Sequence, residues 1–168
     1  MAELLPKERL QPSLLDRLTD DHPDQLQESR DRRVLSLTRL RQCVLRDLGW
    51  LFNASNLAAF DDDDSDSYAR HSVINYGLFD LAGVTAKSLD TTYLEQMLRQ
   101  VIWDFEPRIL RHTVKVRAVL DESRFSHNAL SFEIEGQLWA QPTPLQLYLK
   151  TELDLESGDV TVEEQGGR

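Results

Sequence analysis

The densest cluster of chemistry-bearing side chains is a run of five aspartates between Phe60 and Tyr68. A calcium-binding EF-hand loop that started at Asp62 would require glycine at its sixth position and glutamate at its twelfth. The sequence has Ser67 and Val73 at those positions. Because neighbouring carboxylates also repel one another, we interpret the run as a solvated loop and not as a metal site. Its members are Asp61, Asp62, Asp63, Asp64 and Asp66.

Sequence patterns of the common catalytic sites are absent. The seven glycines form no phosphate-binding loop, and there is no G-x-S-x-G nucleophile turn and no H-E-x-x-H zinc helix. The single cysteine, Cys43, excludes an internal disulfide and a multi-thiolate zinc site. We therefore predict no cofactor and no enzymatic activity, although 29 acidic residues leave a two-carboxylate glycosidase open. The histidines have no metal-ligand spacing: His22, His71, His112 and His127.

An acid and a base flank a proline at Glu106-Pro107-Arg108. The proline stiffens the turn, and an extended backbone would send the two charged side chains to the same side. They can then pair with each other, as a local ion pair that is worth about 0–1 kcal/mol when exposed. Alternatively, each can take a bidentate partner on another chain. The second interpretation makes Glu106, Pro107 and Arg108 candidate partner-binding residues.

Helical spacing of apolar residues predicts one helix over residues 28–52. Arg32, Arg39 and Arg46 would lie one above another, nearly opposite its buried face. Between residues 28 and 47, six arginines stand against three acids. Such a stripe is either a solvated face with ion pairs inside the helix or a contact for an acidic partner, because arginine is favoured at interfaces. The buried face would consist of Val34, Leu37, Leu40, Val44, Leu48 and Leu51.

The first 28 residues are polar and carry three prolines, which block a long helix. Within this stretch, Ser13 can cap a single helical turn on which Leu14, Leu15 and Leu18 face the same way. An apolar cluster on a solvated arm either docks on a partner or on its own domain, or it closes the domain core. We predict an extended arm over residues 1–28 and keep the three leucines as candidate partner-binding residues.

The chain changes from helical to strand periodicity at Pro107. Before it, a helix capped by Ser88, by Asp90 or by a Thr92–Glu95 capping box runs to about Phe105. After it, apolar residues alternate strictly with polar ones, which predicts strands with one buried and one solvated face. The predicted strands cover residues 114–120, 130–138, 145–155 and 160–163.

Short connections between these strands favour an antiparallel meander. We therefore predict an α+β fold in which two main helices cover one side of a three- to four-stranded antiparallel sheet. On the solvated face, Lys115 and Arg117 would lie across from Glu133 and Glu135, which is a favourable cross-strand arrangement.

The chain has 168 residues and a formal net charge of −10, from 19 basic and 29 acidic residues. This length and a hydrophobic content of 40% are typical of one globular domain, here residues 29–164, with a disordered tail at 165–168. The acidic balance argues against binding nucleic acid or an anionic membrane surface, because both require clustered Lys and Arg. No run of 18 apolar residues and no signal peptide is present, so we predict no membrane insertion and a cytoplasmic location.

Four short motifs precede the predicted sheet in a fixed order. They are Leu14-Leu15-Asp16-Arg17-Leu18, Arg46-Asp47-Leu48-Gly49-Trp50-Leu51-Phe52-Asn53, Ile74-Asn75-Tyr76-Gly77-Leu78 and Glu106-Pro107-Arg108. Together they resemble the TssE family of baseplate subunits of bacterial type VI secretion systems. That family is similar to the wedge protein at the base of contractile phage tails. The resemblance spans residues 13–163, nearly the whole chain.

The resemblance implies a structural protein. Such subunits join the other baseplate wedge components at the cytoplasmic face of the inner membrane and nucleate the contractile sheath around the inner tube. The implied partners are therefore wedge subunits, sheath proteins and spike or tube components. The family has also carried a lysozyme-related label, but no catalytic dyad stands out here, so a peptidoglycan-acting glycosidase is kept as the alternative.

The resemblance also implies two contact sites. The family's Glu-Pro-Arg motif, which maps onto Glu106, Pro107 and Arg108, is implied to act in assembly contacts. Its sheet is implied to meet the first sheath ring by adding strands between chains. An open meander has edge strands with unpaired N–H and C=O groups that can accept such a strand, but the residues alone do not identify the edge.

Overall fold

The computed structural model describes residues 13–19, 23–24, 36–56, 68, 72–79, 90–119, 129–140 and 143–165. Within these ranges the chain has the predicted α+β fold, with two main helices, a short helix before them and a four-stranded antiparallel sheet. The predicted arm boundary at residue 28 and the Asp61–Asp66 run lie outside the described residues. The helices are α1 (Leu14–Leu18), α2 (Leu37–Phe52) and α3 (Thr91–Phe105), and the strands are β1 (Lys115–Val119), β2 (Ala129–Leu138), β3 (Leu145–Asp154) and β4 (Val160–Glu164).

Helix α2 begins at Leu37, so the prediction of one unbroken helix from residue 28 is wrong at Ser36, and residues 28–35 of that prediction lie outside the described residues. The reason is a cap. Ser36 has an extended backbone, with φ −68° and ψ 154°, and its hydroxyl accepts a hydrogen bond from the Arg39 N–H at 3.1 Å. A serine in this role satisfies one of the orphan N–H groups of the first turn and starts a helix. Arg32 and Val34 lie outside the described residues.

Helix α3 starts and ends where the sequence places it. Asp90 is the cap among the predicted alternatives, and its carboxylate accepts from the N–H groups of Thr92 and Tyr93 at 2.9 and 3.3 Å. The helix ends at Phe105, and Glu106 is its C-cap. The proline at 107 explains this end, because the residue before a proline is pushed out of the α region.

The sheet is an antiparallel meander in the order β1-β2-β3-β4. Its register confirms the predicted charge rows, since Lys115 pairs with Glu135 and Arg117 pairs with Glu133. The Lys115 Nζ and Glu135 Oε2 atoms lie 3.8 Å apart at the surface. At the far edge, the Gln165 N–H donates to the Tyr148 carbonyl at 2.9 Å.

The core lies between the helices and one face of the sheet. Leu48 of α2, Ile102 of α3 and Phe132 of β2 are buried at its centre. Helix α2 packs beside β4 and α3 packs beside β1, so that the two helices cover the same face. The predicted alternation is confirmed, because the inward side chains of β2 and β3 are buried. These are Leu130, Phe132, Ile134, Leu138, Leu147, Leu149, Thr151 and Leu153.

The backbone that follows α3 is fixed to strand β2. The Arg108 carbonyl accepts from the Trp139 N–H at 2.7 Å, and the Leu110 N–H donates to the Gln137 carbonyl at 2.8 Å. Between these two bonds, the Ile109 side chain lies over Gly136, where an added Cβ would be 2.9 Å from Ile109 Cγ2. A glycine is therefore required in β2 for the turn after α3 to approach the sheet so closely.

A second backbone contact fixes the loop at residues 72–79 to the end of α2. The Leu78 N–H donates to the Ala54 carbonyl, and the Asn56 N–H donates to the Leu78 carbonyl, both at 2.8 Å. Gly77 makes this contact possible, because it has φ +118° and an added Cβ would lie 2.1 Å from the Ala54 carbonyl oxygen. Its neighbour Tyr76 is thereby held in a fixed position beside the end of α3.

Candidate functional site

The Glu106 and Arg108 side chains lie on the same side of the turn, as predicted, and they pair with each other. The Arg108 Nε donates to Glu106 Oε1 at 2.7 Å, and Nη2 donates to Oε2 at 2.5 Å. The Arg108 backbone N–H also donates to Oε1, at 3.1 Å. Glu106 is only 3% exposed, whereas Pro107 is exposed. A charge buried this deeply requires a bidentate partner, so the pair is far more than a surface ion pair.

Helix α2 and helix α1 extend this pair into a row of five charged side chains, which we call the ionic chain. Arg108 Nη2 also donates to Asp47 Oδ2 at 2.6 Å. The other oxygen of Asp47 accepts from Arg46 Nε at 2.8 Å. Arg46 Nη1 in turn donates to Asp16 Oδ1 of α1 at 2.7 Å. Carboxylate and guanidinium therefore alternate without a break from Asp16 to Glu106.

The ionic chain shifts the proton affinities of its members. Burial opposes ionisation of Asp16, but hydrogen bonds from Arg46, Ser13 and Cys43 outweigh it and lower the pKa of this carboxyl to about 2. The hydrogen bond to Asp16 raises the pKa of Arg46. Burial alone would lower the pKa of Arg108, but its pairing with Glu106 and Asp47 raises it instead. Both guanidinium groups are thus permanently charged.

A cavity of about 450 Å³ opens beside the ionic chain, and we call it the corner groove. The Tyr76 ring packs edge-on against Phe105, with 5.4 Å between the ring centroids. Burial, together with Asp47 and Glu106, raises the pKa of Tyr76, so its hydroxyl is a hydrogen-bond donor at neutral pH. The Arg108 Nη1 atom is buried and has no hydrogen-bond partner among the described residues. The lining residues are Ser13, Asp47, Leu51, Tyr76, Phe105, Glu106, Pro107 and Arg108.

Three of the four sequence motifs meet at the corner groove, although they are spread over more than 60 positions of the chain. The motifs at residues 46–53, 74–78 and 106–108 contribute lining residues, and Ser13, which also lines the groove, immediately precedes the remaining motif at residues 14–18. A model of the family described as baseplate wedge protein gp25 matches residues 38–143, which is more than half of the chain. The chain belongs to the gp25 family of baseplate wedge proteins. The predicted TssE resemblance fits this assignment, because TssE proteins are gp25-like.

Members of the gp25 family are structural components of the baseplate. No curated protein and no solved structure matches the chain. The residues that the structure describes include no helix long and apolar enough to cross a membrane. They also include no group of three or more His, Cys, Asp or Glu side chains placed to hold a metal ion.

The predicted arginine stripe is described only in part in this gp25-family chain. Arg39 is exposed near the start of α2, and Arg32 lies outside the described residues. Arg46 is half-buried in the ionic chain, and its guanidinium carbon stacks 4.9 Å from the centre of the Trp50 ring. Arg46 is therefore engaged within its own chain, and its role in partner binding stays a prediction.

The apolar turn predicted near the N-terminus forms as α1, with Ser13 as its cap. Its leucines do not close the core. Leu14, Leu15 and Leu18 are 71%, 45% and 74% exposed. Helix α1 is instead tied to α2 by its polar side, through the bond between Asp16 and Arg46.

Three residues of the site were not singled out from the sequence: Asp16, Asp47 and Tyr76. All three lie inside motifs that carried the family resemblance. Their role depends on contacts between positions 29 to 61 residues apart, such as the bond from Arg108 to Asp47. The only signal in the sequence was their place beside residues already chosen, since Asp47 follows Arg46 and Tyr76 precedes the close contact at Gly77.

Proposed function

We propose that this chain is a TssE-type baseplate subunit of a contractile type VI secretion system. In this role it joins the other wedge subunits and nucleates the sheath around the inner tube, on the cytoplasmic side of the inner membrane. Membership of the gp25 family supports the baseplate role. The observation that carries the proposal for the site is the corner groove, because three motifs of the TssE resemblance line it and Ser13, the cap residue just before the fourth motif, lines it too.

The corner groove suits a partner that brings an apolar side chain and a carbonyl oxygen. Leu51, Phe105 and Pro107 supply apolar walls, and Arg108 Nη1 is a buried donor that none of the described residues satisfies. A carbonyl oxygen would satisfy that donor without adding charge. An additional carboxylate is disfavoured, because the ionic chain already has three carboxylates against two guanidinium groups.

The exposed leucines of α1 extend the same contact surface. Ser13, which caps α1, lines the corner groove, so the helix that carries Leu14, Leu15 and Leu18 begins at the groove. We propose that the wedge subunit that enters the groove also covers these leucines, since exposed apolar clusters are typical of contact sites. Arg39 of α2, together with Arg32, is proposed to meet acidic side chains of the wedge. Arg46, whose charge is already paired with Asp16 and Asp47, is proposed to join the contact through its stack on the exposed Trp50 ring.

We assign the contact with the sheath to the β4 edge of the sheet. On the opposite edge, the N–H of Ala118, the fourth of the five residues of β1, already donates to Glu95 Oε1 of α3 at 2.7 Å. On β4, the Asn53 side chain forms hydrogen bonds with the backbone N–H and carbonyl of the first residue only, Val160. The rest of β4, beyond Val160, is therefore the better place for a strand from a sheath protein to add.

The substitution Arg108→Lys tests the proposed contact at the corner groove. The measurement is the affinity of the variant chain for the purified wedge subunits. Lysine keeps the charge but loses the planar fork that binds two carboxylates. We expect wedge binding to weaken by about tenfold or more, which is at least 1.4 kcal/mol. Arg108→Ala is a poorer test, because it would leave Glu106 buried without its cation and destabilise the fold itself.

Arg111→Lys is the matched control. Arg111 lies three residues further on, and its guanidinium donates to the Trp103 carbonyl and not to a carboxylate. This variant should bind the wedge subunits as the unchanged chain does. If a folded Arg108→Lys variant also binds normally, the corner is not the wedge contact. Turnover of peptidoglycan by the purified chain would instead favour the glycosidase alternative.

A further inference from the structure

We propose that α1 and the turn at Glu106-Pro107-Arg108 are energetically coupled through the ionic chain, so that a change at one end alters the other. Four contacts of 2.5 to 2.8 Å connect the two ends. The coupling is a property of the isolated chain. It holds or fails whatever the corner groove binds, so its test is independent of the proposed function.

Helix α1 is too short to be stable by itself. It has five residues, whereas isolated helices below about 12–15 residues are marginal in water. Its three leucines are largely exposed and contribute little burial. The stability of α1 therefore depends on its polar side, where Asp16 binds Arg46 of α2 and accepts a hydrogen bond from Cys43.

The middle of the ionic chain makes the two ends interdependent. Asp47 uses Oδ1 for Arg46 and Oδ2 for Arg108, so one orientation of its carboxylate serves both. When Arg108 releases Oδ2, that carboxylate is free to rotate, and the Arg46 guanidinium loses the contact that fixes its position. Fewer rotamers of Arg46 then bind Asp16, so α1 separates from α2 more often.

Two opposite effects of a partner follow from this geometry. A partner that draws Arg108 away from Asp47 releases α1. A partner that fits the intact pair holds α1 in place and presents Leu14, Leu15 and Leu18 beside the corner groove. Because coupling between two sites is reciprocal, docking of α1 favours the intact Arg108 pair by the same factor.

The first experiment changes Arg108 and measures α1. In the full chain, Arg108→Lys should raise the hydrogen-exchange rate of the hydrogen-bonded amides of Asp16 and Thr19 by roughly fivefold, the lower end of typical couplings. Exchange in β2 and β3 should stay as in the unchanged protein. Arg111→Lys, which makes the same chemical change outside the ionic chain, should leave α1 unaffected. Unchanged α1 exchange in a folded Arg108→Lys variant overturns the proposal.

The second experiment changes α1 and measures Arg108. It decides whether the two ends are coupled if Arg108→Lys destabilises the whole fold. Asp16→Asn removes one charge at the far end of the chain, on the short helix. The Arg108 Nε–H, followed by its own NMR signal, should then exchange with water faster by a similar factor. Asp24→Asn removes the same charge nearby and serves as the control. If the Arg108 signal is the same in both variants, α1 and the corner are independent.

Discussion

At the scale of single residues, the ionic chain shows how an acidic protein, with a net charge of −10, keeps two of its carboxylates buried. Glu106 is 3% exposed, and the Asp16 side chain is 7% exposed. Each is held by a guanidinium at hydrogen-bond distance. Taking a lone carboxylate out of water costs several kcal/mol, and only such a partner makes it tolerable. Arginine suits this task, because its fork binds two carboxylates at once.

The lowered pKa of Asp16 predicts how stability depends on pH. The pKa is about 2 in the folded chain, against 3.8 for a free side chain. The ionised form therefore contributes about 2 kcal/mol to the free energy of unfolding above pH 4. This contribution is lost as the pH falls from about 4 to 2, because the folded state must then accept a proton that it binds weakly.

Urea unfolding of the unchanged chain and of Asp16→Asn measures this contribution. The two free energies of unfolding should differ by about 2 kcal/mol at pH 7 and converge near pH 2. Asp24→Asn, which removes one carboxylate at an exposed position, is the control for the change in net charge. A gap between Asp16→Asn and the unchanged chain that persists at pH 2 would mean that the residue stabilises the fold by something other than its charge.

At the scale of elements, the parts of the fold that the sequence predicts are those governed by local periodicity. The alternation after Pro107 gave all four strands, because each strand buries one face and every second side chain repeats the signal. The start of α2 was wrong, because the apolar spacing continued through Val34 while a single capping serine at 36 decided the boundary. A cap depends on a single hydrogen bond, so its signal in the sequence is weaker than that of a repeated apolar spacing.

The partners within the site could not be predicted in the same way. The order of the motifs indicated which segments matter, and Glu106 and Arg108 were correctly placed on one side of the turn. However, the partner of Arg108 on α2 lies 61 residues away. No local pattern connects two such positions, so the choice between internal pairing and an external partner required the packing of α2 against the end of α3.

Two glycines in regular elements predict opposite effects of the same substitution. Gly49 lies within α2, and an added Cβ would meet no atom within 4 Å. Gly49→Ala should therefore stabilise the fold by about 0.5–1 kcal/mol, through helix propensity. Gly136→Ala should destabilise it by about 1–3 kcal/mol, because its Cβ would lie 2.9 Å from Ile109 Cγ2 and displace the turn after α3.

Thermal unfolding of the two single variants tests this pair directly. The melting temperature should rise for Gly49→Ala and fall for Gly136→Ala. Because Gly136 supports the turn that carries Arg108, only its variant should also weaken wedge binding. If both variants shift the melting temperature in the same direction, the close approach of Ile109 to β2 does not limit what position 136 accepts.

At the scale of the whole molecule, one row on the solvated face of the sheet alternates in charge. The register aligns Arg117, Glu133, Lys150 and Glu163 in this row across all four strands. Opposite charges on neighbouring strands stabilise each other, and such a row offers a partner little electrostatic gain. The edges of the sheet are different, because their outward backbone groups attract another strand whatever the side chains are. We therefore place the sheath contact on an edge and not on this face.

Proline substitutions on the two edges distinguish which one receives the strand. The Gln165 N–H points to β3 and the Val160 N–H points to Asn53, so the alternating ladder turns the Val162 N–H away from β3. By the same alternation, the Val116 N–H lies on the Glu95 side of β1. Val162→Pro and Val116→Pro each remove one outward donor, which edge strands tolerate. Val116 is buried and Val162 is only partly buried, so Val116→Pro should destabilise the fold at least as much as Val162→Pro. If β4 receives the sheath strand, Val162→Pro alone should reduce sheath assembly in cells, by about tenfold for a loss of 1.4 kcal/mol.

Two other outcomes would contradict this assignment. Equal loss of sheath assembly in both variants would show that the proline acts through stability, and loss with Val116→Pro alone would move the contact to β1.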